Sequence, residues 1–202
     1  MEPFSRLTAI AAPLDMANVD TDKIIPARFL RKPRGPGYER LLFHDIRFDA
    51  DGNEKPDFVL NQPPYRNAKI LVAGANFGCG SSREAAVYAL YDYGFRAVIA
   101  PSFGDIHYGN ELQNGMLPVM LPDDTVQKLR RQLHERPGAQ ITVDLELETV
   151  TGPDGGTYRF DIDLNSRERL LKGLDDIGLV MQNIGEIEAF EKRYHGEMPW
   201  LA

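Results

Sequence analysis

The chain has one cysteine, Cys79, in 202 residues. A lone thiol forms no internal disulfide, and it cannot supply the several thiolates that hold an iron–sulfur cluster or a structural zinc. Histidine is scarce too: His44, His107, His134 and His195 stand far apart without metal-ligand spacing, and each reads as a surface or packing residue. There is no cationic excess. With 23 Lys and Arg against 30 Asp and Glu, the net charge of −7 leaves no broad phosphate-neutralising surface and argues against nucleic acid as the main partner. No apolar run approaches the ~20 residues that span a bilayer. The start, Met1-Glu2-Pro3-Phe4-Ser5, lacks a signal-peptide pattern, so a cytoplasmic protein without membrane attachment is expected. Asp49-Ala50-Asp51-Gly52-Asn53-Glu54 has neither the full spacing nor the flanking helices of a calcium loop.

Hydrophobic content of 43% and charged content of 26% are those of a globular domain large enough to bury a core. Residues 4–14 read as a first strand, and from residue 69 strands and helices alternate. Strands are expected at Lys69–Phe77, around Ala97-Val98-Ile99-Ala100 and at Met116–Leu121; helices at Arg83–Tyr93, Asp105–Asn114 and Asp123–Arg136. Gly94 marks one helix stop, and Val126, Leu129 and Leu133 share a face of the third helix. Ile141–Val150 and Tyr158–Ile162 read as a hairpin about Gly152-Pro153-Asp154-Gly155-Gly156. Residues 165–195 are helical in pattern, with breaks near Gly173 and Gly178. The expectation is an α/β domain over 1–164, with a mostly parallel sheet and an added hairpin, and a helical extension over 165–202 packed on it.

The densest chemistry lies in Ala75-Asn76-Phe77-Gly78-Cys79-Gly80-Ser81-Ser82-Arg83-Glu84. Here a strand, a glycine-rich turn, two hydroxyls, an arginine and a helix start follow one another. A helix N-terminus offers unpaired N–H groups and the positive end of a dipole, and a guanidinium grips a carboxylate with two prongs. A carboxylate site results, with serines that either orient the substrate or exchange a proton with it. The plain alternative is a capping box, which Ser81 and Glu84 satisfy by spacing. A second concentration of charge runs from Lys23 to Arg40. It holds Lys23, Arg28, Arg31, Lys32, Arg34 and Arg40 against the single acid Glu39, around Pro33-Arg34-Gly35-Pro36-Gly37. Beside a carboxylate-binding turn, this stretch reads as an electropositive lid over an anionic substrate rather than a merely solvated loop.

The whole decamer resembles the active-site serine loop of the aconitase superfamily's swivelling domain. Asn18-Val19-Asp20-Thr21-Asp22-Lys23-Ile24-Ile25-Pro26-Ala27-Arg28-Phe29-Leu30 resembles the opening motif of isopropylmalate dehydratase small subunits. So do Pro56-Asp57-Phe58-Val59-Leu60-Asn61, the segment Tyr93 to Phe103, and Gly173-Leu174-Asp175-Asp176-Ile177-Gly178-Leu179, in the family's order. The resemblance implies the swivelling β/β/α fold and isomerisation of 2-isopropylmalate to 3-isopropylmalate through 2-isopropylmaleate, in leucine biosynthesis. It implies a large-subunit partner that carries a [4Fe–4S] cluster, with no cofactor bound by this chain. Ser81 would be the base that takes and returns the proton next to a carboxylate, its alkoxide stabilised by the helix start and an adjacent arginine. Arg83 would bind a substrate carboxylate, and Ser82 would hold that carboxylate or Ser81. Arg34 would be a second carboxylate-binding arginine. Arg28-Phe29-Leu30-Arg31 would fall at the substrate-selecting loop, where Phe29 and Leu30 could meet an isopropyl group and Arg31 a third carboxylate.

Three other readings compete with this one. A sister protein acting on homoaconitate, citraconate, maleate or dimethylmalate would differ by a few side chains near Phe29–Lys32, and apolar pockets separate such groups by only about 1–3 kcal/mol per methylene. A carboxylate-binding regulatory module would be expected to lack Ser81 or Arg83. A self-contained serine hydrolase would need a G-x-S-x-G elbow and a His–Asp pair, which this sequence does not offer.

Overall fold

The apolar runs become the parallel half of one seven-stranded sheet in the computed structural model, which describes residues 1–81, 83–198 and Trp200. The strands are β1 (Arg6–Pro13), β2 (Ile70–Val72), β3 (Ala97–Ala100), β4 (Leu117–Met120), β5 (Gln140–Asp144), β6 (Thr149–Thr151) and β7 (Thr157–Arg159). Their order is β4-β3-β2-β1-β5-β6-β7. The pairings from β1 through β4 are parallel, and those from β1 through β5 and β6 to β7 are antiparallel.

Because side chains alternate along a strand, β1, β2 and β3 each feed two cores. Leu71, Val98 and Ala100 join the first core with Leu14, Ile24, Phe43, Phe77, Leu90 and Phe95. Ile70, Val72, Ala97, Ile99, Leu117 and Val119 join the second, which α5 (Asp123–Glu135) covers with Val126, Leu129 and Leu133, as its spacing predicts. Ile141, Val143 and Val150 extend that second core under the antiparallel strands. Helix α3 (Glu84–Tyr93) lies between β2 and β3, and Gly94 ends it at φ +115°, its N–H reaching the carbonyls of Leu90 and Tyr91. Helix α4 (Asp105–Gln113) connects β3 to β4.

Some expected boundaries move. The strand read over Lys69–Phe77 stops at Val72, because the backbone of residues 74–78 bonds to neighbouring loops instead. The run Ile141–Val150 is two strands separated by a turn at 145–148, where Glu148 takes φ +54°. The hairpin about 152–156 forms between β6 and β7. Gly173 ends α6 (Leu164–Lys172) as read, but Gly178 lies inside α7 (Asp176–Met181) with its N–H on the capping carboxylate of Asp175. The second break falls instead at Gln182-Asn183, before α8 (Ile184–Glu197). Leu170 of α6 is buried in the second core and its carbonyl accepts from Phe4 N–H. Helices α7 and α8 bury no residue and leave Ile177, Val180, Met181 and Phe190 exposed.

Between β1 and β2 runs a long segment of short turns, including α1 (Thr21–Ile24) and α2 (His44–Arg47). It is organised around Arg47, whose buried guanidinium donates to Asn61 Oδ1 at 2.9 Å and to the Glu39 carbonyl at 3.2 Å. Rings of Phe48 and Tyr93 lie 5.0 and 4.9 Å from the same guanidinium. Burial lowers its pKa, but a group with so high an ordinary value stays charged.

Candidate active site

Parallel strands deliver the loops after β1, β2 and β3 to one edge of the sheet, the place where open α/β sheets form ligand crevices. Here those loops are hydrogen-bonded to one another. Asn18 N–H donates to the Ala75 carbonyl at 2.9 Å, and Gly78 N–H donates to the Val19 carbonyl at 2.7 Å. On the other side, Phe77 N–H donates to Ser102 at 3.0 Å and Gly104 N–H donates to Phe77 at 2.8 Å. The serine loop is therefore the middle of a three-loop ladder, with Asp20 paired to Cys79 and Phe77 to Phe103.

Ser81 sits at the outer end of this ladder. Its carbonyl accepts from Thr21 Oγ1 at 2.5 Å, and Thr21 is buried. Ser81 is exposed, and its hydroxyl makes no hydrogen bond to the described residues. The capping box is not formed. Arg83, in extended conformation, is the N-cap of α3, which puts Glu84 at the first helical position and Ser81 two residues outside the helix. Thr21 thereby ties the Ser81 carbonyl, in a bend, to α1. Among the described residues no side chain caps α3, and its first N–H groups and dipole lie at the end of the loop. Glu84 instead accepts from Asn114 Nδ2 at 3.1 Å. Ser82 lies outside the described residues.

Arg83 is mostly buried, at 15% side-chain exposure, and its guanidinium forks onto Asp22 of α1, with Nη2 donating to Oδ2 at 2.9 Å. Nη1 engages the other carboxylate oxygen and approaches the Ile25 carbonyl at 3.5 Å, which leaves Nε outside that fork. The hydrogen bond from Arg83 holds the Asp22 carboxyl below its ordinary pKa. An arginine thus stands next to the exposed serine, oriented by an acid that sequence reading did not single out.

The basic loop is distributed differently. Arg34 forks onto Asp92 with Nε and Nη2 at 2.9 and 2.6 Å, and its guanidinium lies 4.6 Å from the ring of Tyr88. Asp92 is in the last turn of α3, about 12 Å along the helix axis from Glu84, so Arg34 and Arg83 are anchored at opposite ends of one helix. Arg28 pairs with Asp45 through Nη1 at 2.8 Å and lies 4.5 Å from the Phe29 ring. Phe29 packs partly on the first core and against His44, while Leu30 is 40% exposed. Arg31 is exposed, with no ion-pair partner among the described residues. Phe29, Lys32, Arg40, His44 and Phe48 line a cleft of about 260 Å³ with an apolar floor and a cationic rim.

Sequence reading missed Thr21 and Asp22 as clamps because their partners are sixty residues downstream. It also placed His107 among packing residues, although His107 and Glu111 have the i,i+4 spacing that brings side chains together on a helix. Among the described residues, no three His, Cys, Asp or Glu side chains group as a metal site, and no helix is long and apolar enough to cross a membrane.

Comparisons with known proteins give the family. The aconitase C-terminal domain model matches residues 1–124, and a second model described as LeuD_N matches 127–163. A third, for the C-terminal domain of the 3-isopropylmalate dehydratase small subunit, matches 176–202. Proteins named 3-isopropylmalate dehydratase small subunit from Parvibaculum lavamentivorans and Paramagnetospirillum magneticum are each 53% identical over 201 residues, covering all of both chains. The crystal structure of 3-isopropylmalate dehydratase from Methanocaldococcus jannaschii superposes with a TM-score of 0.65 at 26% identity, over 92% of this chain and 99% of that one. With the swivelling fold and full-length identity of this order, the chain belongs to the 3-isopropylmalate dehydratase small-subunit family of the aconitase superfamily.

Proposed function

We propose that the chain is the small subunit of a two-chain hydro-lyase that interconverts 2-isopropylmalate and 3-isopropylmalate through 2-isopropylmaleate in leucine biosynthesis, in the cytoplasm. The observation that carries the reading is an exposed serine, its hydroxyl without a partner among the described residues, two positions before an arginine that is oriented by Asp22 at the start of α3. Arg83 binds a substrate carboxylate and draws electron density toward it, which acidifies the adjacent C–H bond. Ser81 Oγ, as alkoxide, takes that proton; the C–H electron pair becomes the double bond as the hydroxyl leaves the neighbouring carbon. Returning the proton to the other carbon, with water adding its OH at the first and its remaining proton neutralising the hydroxide that left, completes the isomerisation. The N–H groups at the start of α3 and the Arg83 cation lower the cost of the alkoxide.

This chain's donor set does not fit an iron–sulfur cluster, since it has one cysteine. The cluster that the family implies is assigned to the large-subunit partner, and the chain is expected to be inactive alone. Arg28, Phe29, Leu30 and Arg31 are proposed to face the substrate's variable group. Among the described residues, Arg28 and Arg34 are paired with carboxylates and Arg31 is not. Arg34 would have to leave Asp92 to reach the same ligand.

The test combines the purified chain with its cluster-loaded large-subunit partner and follows 2-isopropylmalate consumption for wild type and Ser81→Ala. Turnover that needs both chains and collapses in Ser81→Ala is expected. Turnover surviving the substitution removes Ser81 as the base. Absence of turnover in an assembled complex, with activity on citraconate or homoaconitate, moves the substrate to a sister acid.

A further inference from the structure

Glycine at position 78 is required by what lies beneath it. Its φ is +71°, and a Cβ built there would fall 2.1 Å from both Cγ and Cδ2 of His107. A Cβ on Gly104, the N-cap of α4, would fall 2.6 Å from the Gly78 carbonyl oxygen. The serine loop is therefore seated on α4 with no room for a methyl group, and the seat is an imidazole. Phe77 flanks the same ring edge-on at 5.5 Å.

That imidazole is not an ordinary core side chain. His107 Nε2 lies 3.0 Å from Glu111 Oε1 one turn along α4, and both side chains are fully buried. Apart from this contact, no ring nitrogen or carboxylate oxygen of the pair has a hydrogen-bond partner among the described residues. Burial pushes the Glu111 carboxyl up, and His107 opposes that shift. Removing acid and base together from water is costly, and apolar residues of the same volume commonly serve as well or better for stability. A stability role alone therefore does not account for the pair. Its position suggests another.

The structure assigns His107, braced by Glu111, the role of a positioning residue: the imidazole fixes the height of Gly78 and so places Ser81, three residues on, against the substrate. This rests on Ser81 acting as the base. The loop is held from two sides, by His107 at its entry and by Thr21 at its exit, where Thr21 N–H and Oγ1 donate to the carbonyls of Cys79 and Ser81. Displacing the entry support shifts the base without touching substrate contacts.

In the reconstituted two-chain enzyme, His107→Phe/Glu111→Leu replaces the pair by apolar side chains. The expected result is an unchanged or higher unfolding temperature, an essentially unchanged KM and a kcat lowered about tenfold, the split produced when a group acting in the transition state is misplaced. Glu111→Gln, which keeps a polar brace for the ring, is expected to retain a kcat close to wild type. A stable double variant with full kcat, or Glu111→Gln no better than the double variant, overturns the inference. Should the double variant fail to fold, Gly78→Ala and Gly78→Ala/His107→Ala decide: recovery of kcat on removing the ring supports the seat, and no recovery overturns it. Ser81→Ala in the same assay keeps the two readings apart. If Ser81→Ala remains active, the base assignment fails; if it is inactive while the double variant is fully active, only the positioning role fails.

Discussion

Thr21 and Ser81 are joined across sixty residues by a hydroxyl-to-carbonyl hydrogen bond of 2.5 Å, and this contact keeps the serine out of the helix that follows it. Were Ser81 the N-cap, its hydroxyl would be spent on a backbone N–H; two residues upstream, it has no hydrogen-bond partner among the described residues.

Replacing Thr21 by Val keeps the shape and deletes the donor. Loss of about 1 kcal/mol of stability is expected, together with a roughly tenfold drop in kcat as the serine shifts. Thr21→Ser should restore both. Thermal unfolding of the chain and turnover of the complex check this, and a wild-type kcat in Thr21→Val would show that Ser81 is placed by other contacts.

Arg83→Lys retains the charge but cannot fork onto Asp22 and offer a further donor edge. KM for the dicarboxylate should rise about tenfold or more, with a smaller effect on the unfolding temperature. Asp22→Asn should raise KM in the same direction, because it frees the guanidinium that the acid now orients.

Acid sensitivity follows from Asp45, whose hydrogen bond from Arg28 holds its carboxyl down at about 2, from an ordinary 3.8. A depressed carboxyl contributes stability that is present above the ordinary value and lost as pH falls through the folded one. The contribution should therefore be full above about pH 4 and disappear toward pH 2. The pair is more than half exposed, so the effect is small and weakens in salt. Unfolding temperatures of wild type and Asp45→Asn measured from pH 5 to pH 2 should converge at the acid end. A gap that persists at pH 2 would contradict the assignment.

Asp92→Asn releases Arg34 and with it the strap between the basic loop and α3. Global stability should fall by on the order of 0.5 kcal/mol, while trypsin cleavage after Arg31 or Arg34 should accelerate severalfold, as read by limited proteolysis. Equal cleavage rates would mean the turns of residues 27–41 hold the loop without the strap.

What could be read from the chain alone is what local pattern determines. Ala97-Val98-Ile99-Ala100 is apolar on both faces because two cores need it, and the spacing of Val126, Leu129 and Leu133 specified the buried face of α5. The decamer at 75–84 located the crevice because its glycines, serines and arginine are needed together. The errors arose where a distant residue overrides a local rule. Ser81 and Glu84 have capping-box spacing, yet a threonine sixty positions away decides the register. Arg34 looks free in sequence, yet Asp92 holds it. The closeness of His107 to Gly78 depends on how two loops of the sheet edge meet, which no spacing encodes.

The ladder of loops has a consequence for how such a protein diversifies. Residues 14–20, 74–80 and 101–104 share backbone hydrogen bonds, whereas the backbone bonds described within residues 27–37 are all local to that segment, which is tied down by the side chains of Arg28 and Arg34. The reacting group and the surface proposed to choose the substrate are thus mechanically uncoupled. If Phe29, Leu30 and Arg31 form the selecting surface as proposed, exchanging them is expected to recut that surface while the serine stays registered to the sheet.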